Sequence, residues 1–506
     1  MSRWPAFAAS LLVVFTTLVI AGCDLDADTF SSVTPDTFYR TEDEFLAAVV
    51  PVYNQLGSLA NGQYWWNSVV STDEGIVPTR GPDWDDNGAW RRLHTHTWTA
   101  TDPAANNAWN DAYTGIARAN VVLENLENST TQLQSAAQFK AELRTLRAFF
   151  YYTLLDMYGN VPIVTTAVTD PLNPPKNSTR KEVFDFIEKE LLESIPDLPT
   201  QSELGDANSG RVTEGAARAI LANMYLNAEV FAGEPRYQDA ITQADEILNS
   251  GEYALASDYF QNFAIDNHTS PEIIFAVQFV ASGGPEFGYH SKILHYNQFP
   301  QGCCNGLATL GSSYDTFDDA DKRKEMFLIG QAYNLFTGEP AKDRQGNPLI
   351  FTKEVPLTGA TEANGIRVLK WPVDPNDPSG GFQNDYAFFR LAEIYFIKAE
   401  ALYRMGQPEA ALPLINEVRE RAFDPPQPVT MADVQAAGGM DQFLLDERMR
   451  EFHSEAKRRQ DLIRFGRFTS GTWEHKEVSE PYRDLFPIPQ SQIDASKGAL
   501  TQNPGY

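Results

Sequence analysis

LAEIYFIKAEALYRMGQPEAALPLINEVRERA, residues 391–422, carries the strongest periodic pattern in this chain of 506 residues. Its small and apolar residues recur at spacings of three, four and five, which predicts a pair of amphipathic helices. Small residues let two antiparallel helices approach closely, while larger side chains fill the gaps between neighbouring pairs. The positions that form the pattern are Tyr395, Ala399, Leu402, Gly406, Ala411, Ile415 and Val418.

The order of residues in this segment resembles the tetratricopeptide repeat, although a generic helical hairpin also fits it. Beyond residue 252 the character changes, because Gly and Pro are frequent and only short β-like stretches such as 273–277 appear. The sequence therefore predicts a mostly α fold, a scaffold of tetratricopeptide-like helix pairs with a large loop-rich insertion and few short strands. Helical apolar stripes also run through residues 136–158, 181–191, 213–228 and 237–251.

The first 22 residues are predicted to be a lipoprotein signal peptide rather than part of the fold. Arg3 precedes an apolar run at residues 6–22, which is shorter than the roughly 20 apolar residues that a membrane span needs. Small residues directly before Cys23 resemble the bacterial lipobox, in which that cysteine is lipidated; an ordinary signal peptide with an incidental cysteine is the alternative. Residues 23–35 begin with an acidic stretch, which predicts a flexible tether and resembles the surface-export signal of Bacteroidetes lipoproteins.

Composition narrows the possible functions. The chain has 40 Lys and Arg against 68 Asp and Glu, a formal charge of −28, which excludes a nucleic-acid binder that depends on phosphate contacts. Residues are 42% hydrophobic, enough for a large packed core, and three cysteines are too few for a disulfide framework. No later stretch approaches 18 consecutive apolar residues, so we expect a soluble body that is only anchored to the membrane.

Several short blocks along the mature chain are weak signals individually but form a specific pattern together. Taken in order with the lipobox, they are similar to the SusD/RagB family of surface glycan-binding lipoproteins, and the resemblance covers essentially the whole mature chain. The blocks are RAN at 118–120, ELRTLRAFFY at 142–151, YGNVP at 158–162, GRVT at 210–213, SPEII at 270–274, RLAEIY at 390–395, ER at 447–448 with RR at 458–459, FPIP at 486–489 and QNPGY at 502–506.

This resemblance implies a helical fold with a loop-rich ligand face, no catalytic activity and no cofactor. It also implies a partner, a SusC-like TonB-dependent outer-membrane transporter, over which the lipoprotein sits as a lid on the cell surface. The expected organisation is a globular domain over residues 36–506. It comprises an N-terminal helical part (36–251), a loop-rich insertion (252–387) and C-terminal helices and loops (388–506).

Six of the nine tryptophans fall within 45 residues, which points to a shared role. Flat C–H faces of sugar rings match aromatic faces, so exposed tryptophans favour glycan binding. Trp84 lies in a Gly- and Pro-containing loop, where ligand contact is favoured over core burial. Neighbouring Arg80, Asp83, Asp85, Asp86 and Asn87 offer donors and acceptors for hydroxyl groups. Trp98 and Trp109 are predicted to be core residues, while Trp65, Trp66 and Trp90 fit either role.

The insertion contains four further candidates for ligand contact, which lie in loops bounded by Gly and Pro. Their sequence context fits a structural role at least as well as ligand contact. They are Tyr289, His290, Tyr296 and Phe299. The adjacent Cys303 and Cys304 form either a strained vicinal disulfide or two free or buried thiols.

Metal binding is weakly indicated. The aspartates at 315, 318, 319 and 321 fit a solvated turn or N-cap run better than a calcium loop, because the spacing lacks the EF-hand glycine. His94 and His96 alternate as on one strand face but have no third ligand nearby, so no metal site is predicted.

The sequence thus predicts a non-enzymatic lipoprotein that binds oligo- or polysaccharide and delivers it to a transporter. The G-x-S-x-G, G-x-G-x-x-G, Walker A and H-E-x-x-H motifs are absent from the sequence. A surface glycoside hydrolase with a carboxylate pair is the first alternative, and a peptide-uptake receptor or an adhesion lipoprotein without a small ligand are the others. The acidic and basic residues of 447–461 alternate at helical spacing, which indicates a salt-bridged helix rather than an acid–base site.

Overall fold

The computed structural model describes residues 39–129, 131, 133–205, 209–280, 287–299, 304–377 and 382–506. The predicted signal peptide, Cys23 and the whole predicted tether lie outside these residues. Cys303 lies outside them too.

The N-terminal half is built from helices. Several begin at a threonine that caps them: Thr179 accepts a hydrogen bond from the backbone N–H of Glu182, and Thr213 accepts one from the backbone N–H of Ala216. The helices are α1 (Glu42–Asn61), α2 (Gln63–Val70), α3 (Ala89–His94), α4 (Pro103–Asn128), α5 (Ala136–Met157), α6 (Arg180–Ser194), α7 (Gln201–Leu204), α8 (Glu214–Leu226), α9 (Ala228–Ala232) and α10 (Tyr237–Leu248).

The insertion contains two short helices, α11 (Tyr289–Ile293) and α12 (Gly311–Asp315). The chain returns to a helical scaffold after the insertion, with α13 (Leu391–Arg404), α14 (Pro408–Arg419), α15 (Met431–Ala436), α16 (Met440–Phe452), α17 (Arg458–Arg464) and α18 (Gln490–Ala495).

The predicted helix pair is confirmed as α13 and α14. Ala399 on α13 and Ala411, Ile415 and Val418 on α14 are all fully buried, so the small residues do lie where the two helices meet. α8 packs against α10, α10 against α13, and α13 against α14, which stacks helix pairs side by side. The predicted fold class, mostly α with few short strands, is therefore confirmed.

Strands are short and lie mainly in the insertion. They are β1 (Gly75–Ile76), β2 (Ile273–Val277), β3 (Ala308–Thr309), β4 (Phe327–Leu328), β5 (Gly330–Gln331), β6 (Ile350–Phe351), β7 (Arg367–Val368) and β8 (Tyr386–Arg390). In the described ranges they form four two-stranded antiparallel sheets, pairing β1 with β3, β2 with β8, β4 with β7 and β5 with β6. Because β8 runs directly into α13, the β2–β8 pair joins the base of the insertion to the helical scaffold.

A buried ion-pair network connects the insertion to the C-terminal helices. Arg390 contacts Glu272 at 2.8 Å, Glu451 at 2.7 Å and Glu455 at 2.8 Å, and Arg323 contacts Glu447 at 2.7 Å. The alternating charges of residues 447–461 are thus ion-paired as predicted, although they lie inside the protein rather than on its surface. The other cations of the network are Lys370, Arg419, Arg421 and Arg450.

No helix within the described ranges has both the length and the apolar character that crossing a membrane requires.

Candidate functional site

Four of the clustered tryptophans form one contiguous aromatic group, here called the Trp cluster: Trp65, Trp66, Trp84 and Trp90. Trp65 and Trp66 lie on α2, Trp84 lies in the loop after β1, and Trp90 lies on α3. Trp66 is central, with its ring centroid 5.1 Å from that of Trp65, 6.0 Å from that of Trp84 and 4.7 Å from that of Trp90. The rings of Trp84 and Trp90 are 5.6 Å apart in an edge-to-face arrangement.

Burial divides this cluster into a base and an accessible rim. Trp65 is 1% exposed and Trp66 is 6% exposed, whereas Trp84 and Trp90 are half-buried and keep ring surface open to solvent. The base rings therefore support the outer pair, and only Trp84 and Trp90 offer a face to a ligand. Trp98 and Trp109 are buried, which confirms that they are core residues.

The Trp84 ring is held by the short segment that follows the second cysteine. Its indole Nε1–H donates a hydrogen bond to the backbone carbonyl of Cys304. The ring also lies against Gly306 so closely that a Cβ atom there would be 2.4 Å from Trp84 Cζ2. Trp84 itself has a φ of 60°, an unusual conformation for a bulky residue. The ring orientation is therefore fixed by backbone contacts on both sides.

Cys304, whose carbonyl accepts the hydrogen bond from Trp84, is disulfide-bonded. The vicinal bond that the sequence suggests would join it to Cys303, a residue outside those that the structure describes.

A lysine lies beneath the base of the cluster. The ammonium of Lys292 is 5.2 Å from the ring centroid of Trp65 and 5.4 Å from that of Trp66, and it donates a hydrogen bond to the carbonyl of Asn61. Burial lowers the pKa of Lys292 to about 7, because the charged form loses its hydration there. This cation stabilises the negative faces of the two base rings when it is protonated.

The polar rim beside Trp84 is built from residues distant in sequence. Arg344 donates to Asp83 at 2.9 Å and to Glu362 at 2.5 Å, and its guanidinium stands 4.9 Å from the ring centroid of Tyr296. His295 in turn lies 2.9 Å from Glu362. Tyr296 and Asp83, both sequence candidates, thus belong to one surface. Arg344 and Glu362 were missed, because no local pattern in their loop marks them.

Arg80 and Asn87, the other two polar residues predicted to contact a ligand, do not join this polar rim. Arg80 is 3% exposed and donates to the backbone carbonyls of Asn305, Thr361 and Asn364, so its guanidinium holds loops together and is not available to a ligand. Asn87 is exposed at a φ of 50°, and its carbonyl accepts a hydrogen bond from Arg92.

Two aspartates of the same loop already have partners. Asp86 accepts from the indole of Trp90 at 2.5 Å, which fixes that ring. Asp85 pairs with Arg91 at 2.6 Å.

The four further candidates of the insertion are mostly core residues. Tyr289 is 2% exposed and its ring lies 4.6 Å from that of Trp371, while His290 and Phe299 are equally enclosed. As placed, these side chains offer no surface to a ligand, because a dense group of rings covers them. Tyr296 alone of the four stays half-exposed.

The acidic run and the histidine pair have structural partners. Asp321 caps the turn at Lys322–Met326, Asp315 pairs with Lys353, and Asp319 pairs with Lys324. His94 and His96 are buried and hydrogen-bonded to backbone carbonyls. Desolvation lowers the pKa of both side chains and outweighs these hydrogen bonds, which favour the protonated ring. Within the described residues no group of three or more His, Cys, Asp or Glu side chains is arranged to hold a metal ion.

Comparison with known families gives two matches that together span most of the chain. A model described as "SusD family" matches residues 233–506. A second, described as "Starch-binding associating with outer membrane", matches residues 41–226.

Curated relatives agree with these matches. The chain is 25% identical to "Starch-binding protein SusD" of Bacteroides thetaiotaomicron over 475 residues, which covers 84% of this chain and 82% of the relative. It is 26% identical to a "SusD-like protein" of Bacteroides ovatus over 490 residues, covering 91% of this chain and 83% of the relative.

Solved structures share the fold. A "Laminarin binding SusD-like protein" has a TM-score of 0.73 at 23% identity, covering 92% of this chain and 100% of that one. "Surface glycan-binding protein A" from Bacteroides thetaiotaomicron in complex with laminarihexaose has a TM-score of 0.73 at 21% identity, with coverage of 92% and 99%.

Proposed function

Because the chain belongs to the SusD family, we propose that it binds an oligo- or polysaccharide on the face formed by Trp84 and Trp90 and delivers it to a SusC-like TonB-dependent outer-membrane transporter. The observation that carries the proposal is the pair of half-exposed indoles mounted on a buried aromatic base. We name this surface, with Asp83, Tyr296 and Arg344, the Trp84 face.

Rigidity favours sugar binding at this face. Trp84 is fixed by Cys304 and Gly306, and Trp90 by its hydrogen bond to Asp86. Because these rings are already ordered, little conformational entropy is lost when a sugar stacks on them. Burial of a large aromatic side chain contributes on the order of 1.5–3 kcal/mol, so two rings supply much of the affinity of a small glycan.

The charges around the face favour a neutral glycan. Within the described ranges, the arginines beside the outer rings already have carboxylate partners: Arg344 has Asp83 and Glu362, and Arg91 has Asp85. Lys292 lies at the base of the cluster, against Trp65 and Trp66. A uronate or sulfate at the outer rings would meet carboxylates and arginines that are already ion-paired, which costs desolvation without a matching ion pair. The net charge of −28 adds long-range repulsion of polyanions.

The carboxylates of the rim fit hydrogen bonding better than hydrolysis. Burial would raise the pKa of Glu362, but hydrogen bonds from Arg344 and His295 outweigh it and hold the pKa below its ordinary value. A glycosidase needs one carboxyl group with a raised pKa to protonate the leaving oxygen. This supports a binding protein over the alternative of a hydrolase.

Delivery to a transporter rests on the family rather than on the geometry of this chain. The proposed route is capture on the Trp84 face, retention near the membrane through a lipidated Cys23, and transfer to the pore of the partner. The proposal of surface exposure is supported by the acidic residues after Cys23, which resemble the surface-export signal of Bacteroidetes lipoproteins. A lipid anchor of more than two acyl chains gives stable membrane attachment.

A panel of glycans tests this function. Isothermal titration with neutral hexasaccharides (laminarihexaose, maltohexaose, cellohexaose, mannohexaose and xylohexaose) and with polygalacturonate and alginate should show binding of at least one neutral glycan and of neither polyanion. Assays for new reducing ends on the same mixtures should stay flat. Binding restricted to polyanions or to peptides, or sustained turnover removed by one Asp or Glu substitution, would contradict the proposal.

A further inference from the structure

A second concave site lies away from the Trp84 face, between β2, the loop at residues 209–211 and the segment that follows α10. This cleft has a volume of about 550 Å³, within the range of small-molecule sites. None of its lining residues belongs to the Trp84 face. Polar side chains dominate one wall: Ser209, Tyr253, Thr269, Gln278 and Asp385.

Asp385 is the unusual member of this wall. It is only 4% exposed, and its Oδ1 accepts a hydrogen bond from the backbone N–H of Phe279 at 3.1 Å. Among the residues that the structure describes, its Oδ2 has no hydrogen-bond or ion-pair partner. Buried carboxylates are normally paired, because the loss of hydration is otherwise uncompensated, and here burial raises the pKa of Asp385 to about 7.

The backbone around this carboxylate is held rigidly. Asp385 donates its N–H to Asn267 Oδ1 at 2.7 Å, and its carbonyl accepts from Asn267 Nδ2 at 2.8 Å and from the indole of Trp371 at 3.3 Å. The side chain therefore cannot leave the cleft wall without breaking these contacts. An oriented, uncompensated acceptor is the arrangement expected of a binding group.

Arg211 and Glu252, which also line the cleft, already have partners. Arg211 donates to Glu142 at 2.5 Å and 3.2 Å, and Glu252 accepts from the backbone and hydroxyl of Ser202 at 2.7 Å and 2.9 Å. Within the described lining of the cleft, no lysine or arginine is paired with Asp385. A ligand that compensates this carboxylate brings a positive charge of its own.

Neutral groups next to Asp385 match hydroxyl groups. Gln278 Nε2 donates to Ser209 Oγ at 3.1 Å, which leaves the amide oxygen of Gln278 to accept and the hydroxyl proton of Ser209 to donate. The position of Gly210 is also sterically fixed, since a Cβ there would be 2.5 Å from the Gln278 side chain. The wall combines one acidic group with several neutral hydrogen-bonding groups.

We propose that this cleft binds a small polyhydroxylated ammonium compound of the amino-sugar class, with the ammonium group on Asp385 and the hydroxyl groups on Ser209 and Gln278. This site is independent of the Trp84 face. It gives the protein a second recognition element that distinguishes a free amine from an N-acylated or neutral sugar.

Calorimetry on the whole chain tests the site with D-glucosamine as the probe and N-acetyl-D-glucosamine and D-glucose as comparisons. At neutral pH, glucosamine should bind at least about tenfold more tightly than either comparison, the ratio that one partly buried ion pair supplies. Asp385→Asn keeps the acceptor for Phe279 and should abolish the preference. Asp266→Asn, a matched loss of one carboxylate outside the cleft lining, should keep it.

Trp84→Ala locates the site independently. It should leave glucosamine binding unchanged, so failure of the glycan-binding proposal and failure of this one give different results. Equal binding of glucosamine and N-acetylglucosamine by the wild-type protein, or no binding of glucosamine, would overturn the inference, and this comparison stands even if Asp385→Asn does not fold. Loss of glucosamine binding in Trp84→Ala would also overturn it, because the amine would then bind at the aromatic face.

Discussion

At the scale of single residues, the proposed ligand face depends on the orientation of the Trp84 ring. Trp84 reaches solvent because its loop turns back at a positive φ and because Gly306 has no side chain to displace the indole. The sequence pointed to Trp84 from its loop composition alone. Two placements could not be predicted from the sequence, because each depends on a partner more than 80 residues away. Arg80 is hydrogen-bonded to backbone carbonyls, including that of Asn305, and Tyr289 is buried against Trp371.

Gly306→Ala tests this residue-scale account. The new Cβ would meet Trp84 Cζ2 at 2.4 Å and the carbonyl of Lys292 at 2.9 Å, so the indole must move from its seat. We expect glycan affinity to fall about tenfold, equivalent to about 1.4 kcal/mol. Gly288→Ala is the matched control, because its Cβ would meet nothing closer than 3.7 Å. Unchanged affinity in Gly306→Ala, measured by titration, would show that the ring orientation is unimportant.

At the scale of elements, the sequence predicts helices from their periodicity but does not predict which distant segments pair with each other. The stripe in residues 391–422 predicted α13 and α14 because local spacing alone determines which face of a helix is apolar. The loop-rich insertion has no such period. Its position is determined by the β2–β8 pairing and by ion pairs such as Arg344 with Asp83, which are 261 residues apart. Arg344 and Glu362 were therefore beyond the reach of sequence patterns.

The buried ion-pair network between the insertion and the C-terminal helices should make the stability of the protein depend on pH in the acidic range. Burial alone would raise the pKa of Glu451, but the charges of Arg390, Arg421 and Arg323 outweigh it and lower the pKa from 4.5 to about 2. A carboxyl group with a depressed folded-state pKa contributes stability that is present above its unfolded pKa and lost as the pH falls toward the folded value. The free energy of unfolding should therefore decrease progressively between pH 4.5 and pH 2.

Urea denaturation at a series of pH values measures this dependence. Glu451→Gln removes the titrating group but leaves three arginines without it, so we expect a loss of about 3–5 kcal/mol at neutral pH together with a shallower acid dependence. A variant as stable as the wild type, or an unchanged dependence of the free energy of unfolding on pH, would show that the ion-pair network does not stabilise the contact between the insertion and the C-terminal helices.

At the scale of the whole molecule, we propose that a helical scaffold presents the Trp84 face and is held at the membrane by a lipidated Cys23. Cys23→Ala should remove the lipid and release the protein from the outer-membrane fraction, because no helix in the described ranges can span a bilayer. Cell fractionation with acyl labelling measures this. Ser31→Ala in the same tether is the control, and a Cys23→Ala protein that stays membrane-bound and labelled would refute the anchor.

The central claim is that exposed indoles on a buried aromatic base bind glycan. The most direct measurement is isothermal titration of Trp84→Ala with the neutral hexasaccharide that the wild-type protein binds most tightly, compared with Tyr403→Ala on the distant helix α13. The account predicts at least a tenfold loss of affinity for Trp84→Ala, about 1.4 kcal/mol or more, in a protein that still folds, and no loss for Tyr403→Ala. Wild-type affinity in a folded Trp84→Ala protein would contradict it.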